Sequence, residues 1–401
     1  IRLCKQGGVC GGVDDVQHSA SMTPPDTGFG SWAALGAVVA LLALGCGPST
    51  TDPELGEMPG VGDPGTGTDA DGDGFRDSVD CNDQDATIFP GAPELEDGID
   101  NDCDGKVDDD LPNYDDDGDG YTDDEGDCND SEPLVSPSAV EVQTIVDENG
   151  NELAEGVDND CDGQVDEALE ACDGALGSEA GDFAKAIELC DWVDSASFNS
   201  GSDYRGRNIV DGFGDVYVPH AGSSMAVLST GWAVDASDPN FITPNTGTPF
   251  LNTASHPLPQ PDPGDSCGKA DPASVNDYTE LAIEIEVPSN AQGLSYDFAF
   301  MSGEFPEYVC TQYDDTFLAI LESESFTGNI SFDDAGRPVT INIGFFDVCP
   351  VSQGGDCAGD AELAGTGYEG TVGGGTGWLT TTAPVTPGEI IKLRFIIFDE
   401  G

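Results

Sequence analysis

The stretch from Asp69 to Asp166 contains almost nothing apolar to fold around, yet its acidic residues recur at fixed offsets from glycine. Two copies of one pattern are legible. The first runs Asp69-Ala-Asp-Gly-Asp-Gly-Phe75, then Asp80-Cys-Asn-Asp83, then Asp100-Asn-Asp-Cys-Asp-Gly105. The second runs Asp115-Asp-Asp-Gly-Asp-Gly-Tyr121, then Asp127-Cys-Asn-Asp130, then Asp158-Asn-Asp-Cys-Asp-Gly163. Neither helical nor strand periodicity is present, so no ordinary core is available. Arg76 and Lys106 are the only bases between Asp52 and Glu170. The whole chain sets 79 acidic residues against 11 basic ones, a formal charge of -68. That balance argues against nucleic acid and anionic membrane surfaces as partners, whose binding rests on Lys and Arg. A solvated acidic linker would show no phase relative to glycine, whereas binding of multivalent cations requires one.

Calcium takes six to eight oxygens, and a 12-residue loop offers them from positions 1, 3, 5, 7, 9 and 12 with Gly at 6. From Asp69 those slots are Asp69, Asp71, Asp73, the Phe75 carbonyl, Asp77 and Asp80. From Asp115 they are Asp115, Asp117, Asp119, the Tyr121 carbonyl and Asp123; position 12 is Gly126, and one inserted residue leaves Asp127 to close the shell. Two further loops begin at Asp100 (Asp102, Asp104, the Lys106 carbonyl, Asp108) and Asp158 (Asp160, Asp162, the Gln164 carbonyl, Asp166). Both have Leu at position 12 and need a ligand from elsewhere in the repeat, with Asp83, Asp85, Asp130 and Glu132 as candidates. The reading is up to four Ca2+ sites, filled in stages with the Asp69 loop leading. Flanking amphipathic helices are missing, which argues against EF-hands. Pairing Cys81 with Cys103 and Cys128 with Cys161 would tie the two loops of each repeat together. With so little to bury, metal and disulfide must supply most of the folding free energy.

Each repeat resembles the metal-binding motif of bacterial surface proteins. The first copy also carries that family's middle element, Ile88-Phe-Pro-Gly-Ala-Pro-Glu94, which the second replaces with Leu134-Val-Ser-Pro-Ser-Ala139 and a longer insertion. The family's namesake is copper-associated, so the resemblance raises copper as an alternative. Copper favours imidazole and sulfur, and His18, His220 and His256 all lie outside the repeats. Ligand type favours calcium. The spacing also looks like that of thrombospondin type 3 calcium repeats.

Residues 1–21 read as upstream or non-native sequence, since Met22 is the first methionine. The run Trp32 to Cys46 is too short to span a bilayer but fits the apolar region of an export signal. Its Leu44-Gly45-Cys46 end resembles a bacterial lipoprotein signal, which implies lipidation at Cys46. Residues 47–68 read as a flexible tether, 69–110 and 111–170 as the two repeats, and 171–401 as a β-sandwich. Ten of the 13 cysteines remain after Cys4, Cys10 and Cys46 are set aside, an even number that fits a disulfide set in an exported protein.

From Cys172 the composition changes. Glu179 to Val193 is expected to form one helix, and Leu281–Val287, Leu294–Met301, Thr316–Leu321, Val339–Phe346 and Ile390–Phe398 to form strands. The expected fold is mainly β and helix-poor, with disulfide-tied calcium-loop repeats followed by a two-sheet sandwich carrying one or two short helices. Ser224–Gly231, Tyr296–Cys310 and Asp314–Ile320 resemble the choice-of-anchor L domain of secreted and surface-attached bacterial proteins, which implies a β-rich extracellular module. The chain stops after a strong strand, which reads as C-terminal truncation. Cys267–Cys310, Cys349–Cys357 and Cys172–Cys190 are the pairings we expect, although spacing alone does not settle them.

Glu304, Glu307 and Asp314-Asp315 read as a solvated turn rather than another cation site. Asp26-Thr-Gly28, the Gly365–Gly370 run and His220 with Ser223 or Ser224 lack the context that a protease triplet, a dinucleotide fingerprint or a nucleophile pair would need. His220 and His256 read as ordinary loop residues. The expectation is a non-enzymatic, calcium-binding cell-surface lipoprotein whose repeats form a stiff stalk for adhesion to polysaccharide or another surface protein. Copper scavenging and a secreted hydrolase with structural calcium are the alternatives.

Overall fold

The computed structural model describes residues 2–4, 67–95, 97–108, 111–142, 144–146, 152–154, 156–167, 172–243, 252–258, 267, 272–311, 313–332, 336–342, 346–353, 357–370 and 373–400. The export segment, Cys46 and the Asp26–Gly28 triplet lie outside them. Contacts divide the chain into two units, Asp26–Glu125 and Ile1–Pro25 with Gly126–Gly401. The border therefore falls inside the second repeat.

In the larger unit, alternating apolar residues make the strands. β1 is Arg2–Cys4, β2 Thr144–Val146 and β3 Glu152–Ala154. Then follow α1 (Ala180–Lys185), β4 (Val193–Phe198), β5 (Arg207–Val210), β6 (Met225–Leu228) and β7 (Thr253–Ser255). β8 (Ser274–Glu286), β9 (Gly293–Ser302), β10 (Asp314–Glu322), β11 (Thr327–Asn329), β12 (Val339–Thr340), β13 (Gly374–Pro384) and β14 (Ile390–Glu400) complete the order. One sheet runs β11-β10-β14-β8-β4, with β12 on β10 and β7 on β8; a second runs β1-β9-β13; β2-β3 and β5-β6 are separate pairs. Every one of these strand pairings is antiparallel.

Period-two burial dictates the packing. Leu281, Ile283 and Ile285 of β8, Ile391 and Leu393 of β14, and Ala319 and Leu321 of β10 form one face. They pack with Leu294 and Tyr296 of β9, Ala383 of β13, and Phe183 and Leu189. The opposite face of the larger sheet gathers Tyr278, Leu318, Ile396 and Phe398. An aromatic layer (Phe298 on Phe317 at 4.8 Å, Tyr296 on Phe395 at 5.1 Å) continues the inter-sheet core. The mainly β, helix-poor expectation holds.

Three elements differ from expectation. The helix stops at Lys185, because Glu188 takes a left-handed φ of 61° and Cys190 is drawn to Cys172. Val339–Phe346 yields only the two-residue β12 before the chain turns. β13 begins in a Gly-rich run that carries no strand signal, and forms because β9 supplies a ladder partner for it.

The described residues carry five disulfides, in the expected pairings: Cys81–Cys103, Cys128–Cys161, Cys172–Cys190, Cys267–Cys310 and Cys349–Cys357.

Candidate metal centre

Each Asp-rich loop is shaped by the carboxylates hydrogen-bonding to their own backbone. In the first, the Gly72 amide donates to Asp69 Oδ1 (2.7 Å), the Asp73 amide to Asp71 Oδ1 (3.3 Å) and the Phe75 amide to Asp73 Oδ1 (2.8 Å). Gly74 sits at φ 107°, a conformation that a side chain would resist, which is why position 6 must be glycine. Using one oxygen of each Asp on the backbone turns the other inward. The Oδ2 atoms of Asp71 and Asp73 are closed off from solvent and accept no hydrogen bond.

Asp80 comes in from the next turn. Its Oδ1 accepts the Asn82 amide at 2.7 Å, while its Oδ2 is buried and accepts nothing, in a residue only 8% exposed. The Asp71 carboxyl is pushed up by desolvation and, against a lowering bond from the Asp73 amide, by the charges of Asp73, Asp80 and Asp69. Carboxylate oxygens of Asp69, Asp71 and Asp73 lie within 4.8 Å of one another. Asp77 anchors the loop through its amide, which donates to the Thr68 carbonyl at 3.1 Å. Phe75 stacks on Phe89 at 5.2 Å. An orphaned, buried carboxylate oxygen costs several kcal/mol unless something pairs with it. The all-oxygen donor set fits a hard divalent cation.

The Asp115 loop repeats the geometry. The Gly118 and Gly120 amides donate to Asp115 (2.8 and 3.0 Å), the Asp119 amide to Asp117 (3.1 Å) and the Tyr121 amide to Asp119 (3.0 Å). Asp123 opens a single 3-10 turn, Asp123–Glu125. In the other unit, Asp127 is 4% exposed and accepts the Asn129 amide at 2.8 Å, the counterpart of Asp80 with Asn82.

The two remaining loops match each other in detail. Asp100 Oδ2 accepts the Gly105 amide and Asp158 Oδ2 the Gly163 amide, both at 3.0 Å, and the Oδ1 of each is buried without a hydrogen bond. Asp102, Asp104, Asp160 and Asp162 each accept the amide two residues on, the Asp104 and Asp162 acceptors serving Lys106 and Gln164. Asp108 and Asp166 direct their carboxylates to the amides of Gly98 and Gly156. Among the candidate borrowed ligands, Asp83 accepts the Ala70 amide and Asp85 the Thr87 amide and hydroxyl.

The residues that sequence reasoning missed are Glu94 and Glu141. Glu94 is 8% exposed and accepts the amides of Asn101 (2.6 Å), Asp102 (2.9 Å) and Asp108 (2.9 Å). Glu141, 7% exposed, does the same for Asn159, Asp160 and Asp166. Oxygens of Glu94, Asp100 and Asp102 cluster within 4.8 Å. The signal for Glu94 was present in the middle element; Glu141 was hidden by the insertion behind it, which holds the β2–β3 hairpin. Ile88 and Val135, and Ala92 and Ala139, are buried in matching places.

The disulfides join these loops directly. Cys81 follows Asp80, and Cys103, at φ 64°, lies between Asp102 and Asp104; Cys128 follows Asp127, and Cys161, at φ 59°, lies between Asp160 and Asp162. Oxidised sulfur is lost as a thiolate ligand, leaving oxygen donors.

Elsewhere, Ser223 and Ser224 donate to Asp173 Oδ2, and His220 pairs with Asp297 at 2.8 Å, so no Ser–His pair forms between them. His256 is a loop residue, as expected, but a buried one: its side chain is 2% exposed, against Phe398 and 3.4 Å from Glu400. The Gly365–Gly370 run is a loop between a 3-10 turn and β13.

Glu304, Asp314 and Asp315 are not a solvated turn either. Asp314 is 6% exposed, Glu304 Oε2 and Asp314 Oδ1 are closed from solvent and unbonded, and Asp315 accepts the Ser302 hydroxyl from the facing sheet at 2.6 Å. Glu304 is pushed up to about 9 by burial and then by Asp315, Asp399 and Asp314. Asp314 is pushed up to about 8 by burial and Glu400, and Asp399 to about 7 by burial, Asp315, Asp277 and Glu400.

Comparison with protein families matches residues 188–401 to the choice-of-anchor L domain. The chain belongs to the choice-of-anchor L domain family. The family model described as "Putative metal-binding motif" matches residues 80–109, 127–152 and 150–167, falling on both repeats. No curated protein and no solved structure matches the chain. The two families together mark an exported surface protein with metal-binding repeats, and neither is an enzyme family.

Proposed function

We propose that the metal is calcium and that the chain is a non-enzymatic cell-surface protein whose calcium-ordered repeats support the choice-of-anchor L sandwich. The observation that carries this reading is Asp80: a nine-tenths-buried carboxylate, one oxygen fixed by the Asn82 amide and the other bare, beside the inward oxygens of Asp71 and Asp73. Calcium suits such a shell of carboxylate and carbonyl oxygens, whereas copper would draw on imidazole or sulfur. In this reading the Asp115, Asp100 and Asp158 loops give the further sites.

Export is supported by the Trp32–Cys46 run, with Cys46 as the proposed lipid attachment point at the outer membrane. A surface polysaccharide or another surface protein is the proposed contact of the sandwich. At about 1 mM calcium, a site with a dissociation constant near 10⁻⁴ M contributes roughly 1.4 kcal/mol. Isothermal titration of the metal-free chain with calcium, and separately with copper(II), tests the reading. Calcium heats that vanish in Asp80→Asn at the first site are expected; copper heats without calcium heats would overturn it.

A further inference from the structure

Within the larger unit, the 134–142 segment of the second repeat is held by the turn between β8 and β9. Val287 and Ala291 of that turn are buried in the inter-sheet core, and the Ala291 amide donates to the Pro288 carbonyl at 3.1 Å. Core packing on both sides therefore fixes Asn290, itself 3% exposed. Its Oδ1 accepts the Val140 amide at 3.0 Å, and its Nδ2 donates to the Val140 carbonyl at 2.9 Å and the Leu134 carbonyl at 3.4 Å. Beside it, the hydroxyls of Ser289 and the fully buried Ser136 meet at 2.7 Å.

These contacts lead directly to the Asp158 loop. Glu141 follows Val140 in the chain, and its carboxylate holds the amides of Asn159, Asp160 and Asp166. The Ser136 amide donates to the Asn159 carbonyl at 2.8 Å and the Val142 amide to Asn159 Oδ1 at 3.0 Å. Asn159 Nδ2 donates to the same Leu134 carbonyl that Asn290 uses. A sandwich side chain thus grips the backbone that carries the loop's brace.

The first repeat differs at the two positions that matter. Matching Ile88 with Val135, Ala92 with Ala139 and Glu94 with Glu141 sets Pro93 against Val140 and Phe89 against Ser136. Proline has no amide to satisfy, and Phe89 stacks on Phe75 of its own repeat. The second copy has instead a backbone donor and a small hydroxyl, and the β8–β9 turn takes both. A buried donor left unpaired is costly, so these exchanges suit a segment that folds against Asn290 and Ser289.

Resting on the calcium reading above, we propose that Asn290 is a positioning residue for the Asp158 loop. The folded sandwich preorganises this one site for calcium, and calcium bound there tightens the sandwich's hold on the repeat. Linkage makes the two effects equal in size.

Nuclear magnetic resonance of the Gly105 and Gly163 amides tests this in the full chain. Each donates to the first aspartate of its loop, Asp100 or Asp158, and so reports one site. Calcium is titrated into the metal-free parent, Asn290→Ala and Asn329→Ala, the last a sandwich variant whose lost bonds are to Ala319 and Ser331. Asn290→Ala is expected to raise the calcium midpoint at Gly163 by about tenfold, the scale on which groups behind a ligand act, and to leave Gly105 unchanged. Asn329→Ala is expected to alter neither. Equal Gly163 midpoints in parent and Asn290→Ala, or the same shift in Asn329→Ala, overturn the proposal. In the parent alone, calcium is expected to slow hydrogen exchange of the Val140 amide by about tenfold as well. Exchange at Val140 that ignores calcium while Gly163 responds also overturns it. A parent in which calcium moves neither glycine overturns the calcium reading itself, and the coupling with it.

Discussion

At the scale of single residues, the first loop works by dividing several of its carboxylates into two roles. One oxygen holds the backbone turn and the other is left for a ligand, as Asp71, Asp73 and Asp80 illustrate. Glu94 shows the next layer outward, fixing the amides of Asn101, Asp102 and Asp108. Supporting groups of this kind typically alter metal affinity roughly 10- to 100-fold when changed. Glu94→Gln is therefore expected to weaken calcium at the Asp100 loop by about that factor while sparing the Asp69 loop, as read by calorimetry. In the sandwich, Glu280 accepts Arg394 Nε (2.6 Å) and Nη2 (3.1 Å). Burial pushes its carboxyl up, but the hydrogen bonds from Arg394 and Tyr278 outweigh that and leave it below the usual range. A lowered carboxyl contributes stability above its unfolded pKa, and that contribution is lost as pH falls through the folded value. Arg394→Met strands a buried charge and should cost about 3 kcal/mol near pH 7, with the loss shrinking in acid. Urea melts across pH measure both.

At the scale of elements, the sequence was most legible where periodicity was strong. β8, β9, β10 and β14 follow their apolar residues, which alternate where one face is buried and run together where both faces are, as along Leu318–Leu321 of β10. β13 was not legible, since its glycines say nothing locally and its place depends on β9. The docking of the second repeat was equally hidden. Asn290, 3% exposed, accepts the Val140 amide (3.0 Å) and donates to the Val140 carbonyl (2.9 Å), and Ser136 and Ser289 meet at 2.7 Å. Those partners lie too far apart in sequence for any local pattern to announce them. Asn290→Ala leaves the Val140 backbone groups unpaired and should cost about 1–3 kcal/mol. Faster amide exchange confined to the 134–142 segment would report the loss before global unfolding does. The four candidate loops were readable residue by residue, but Glu94 and Glu141 as their supports were not, because a backbone hydrogen bond across the repeat leaves no spacing rule.

For the molecule as a whole, a formal charge of -68 makes cations part of the folding balance. Chelation is expected to lower the melting temperature of the chain more than an equal ionic strength of sodium chloride can restore, because screening does not coordinate buried oxygens. Scanning calorimetry in calcium, chelator and salt distinguishes these. Replacing Cys81 and Cys103 together with Ser opens a loop of 22 residues and should cost about 3 kcal/mol. It should also weaken calcium binding at both loops the bridge joins.

By itself the sequence determined the composition of the ion loops, the mainly β class of the rest and the order in which they follow, since these depend on residue type at short spacing. Only the tertiary structure decided which oxygens stay bare, that Glu94 and Glu141 brace the loops, and that Glu304, Asp315 and Asp399 are enclosed rather than solvated. Burial is a property of what packs around a carboxylate, and distant parts of the chain supply that packing.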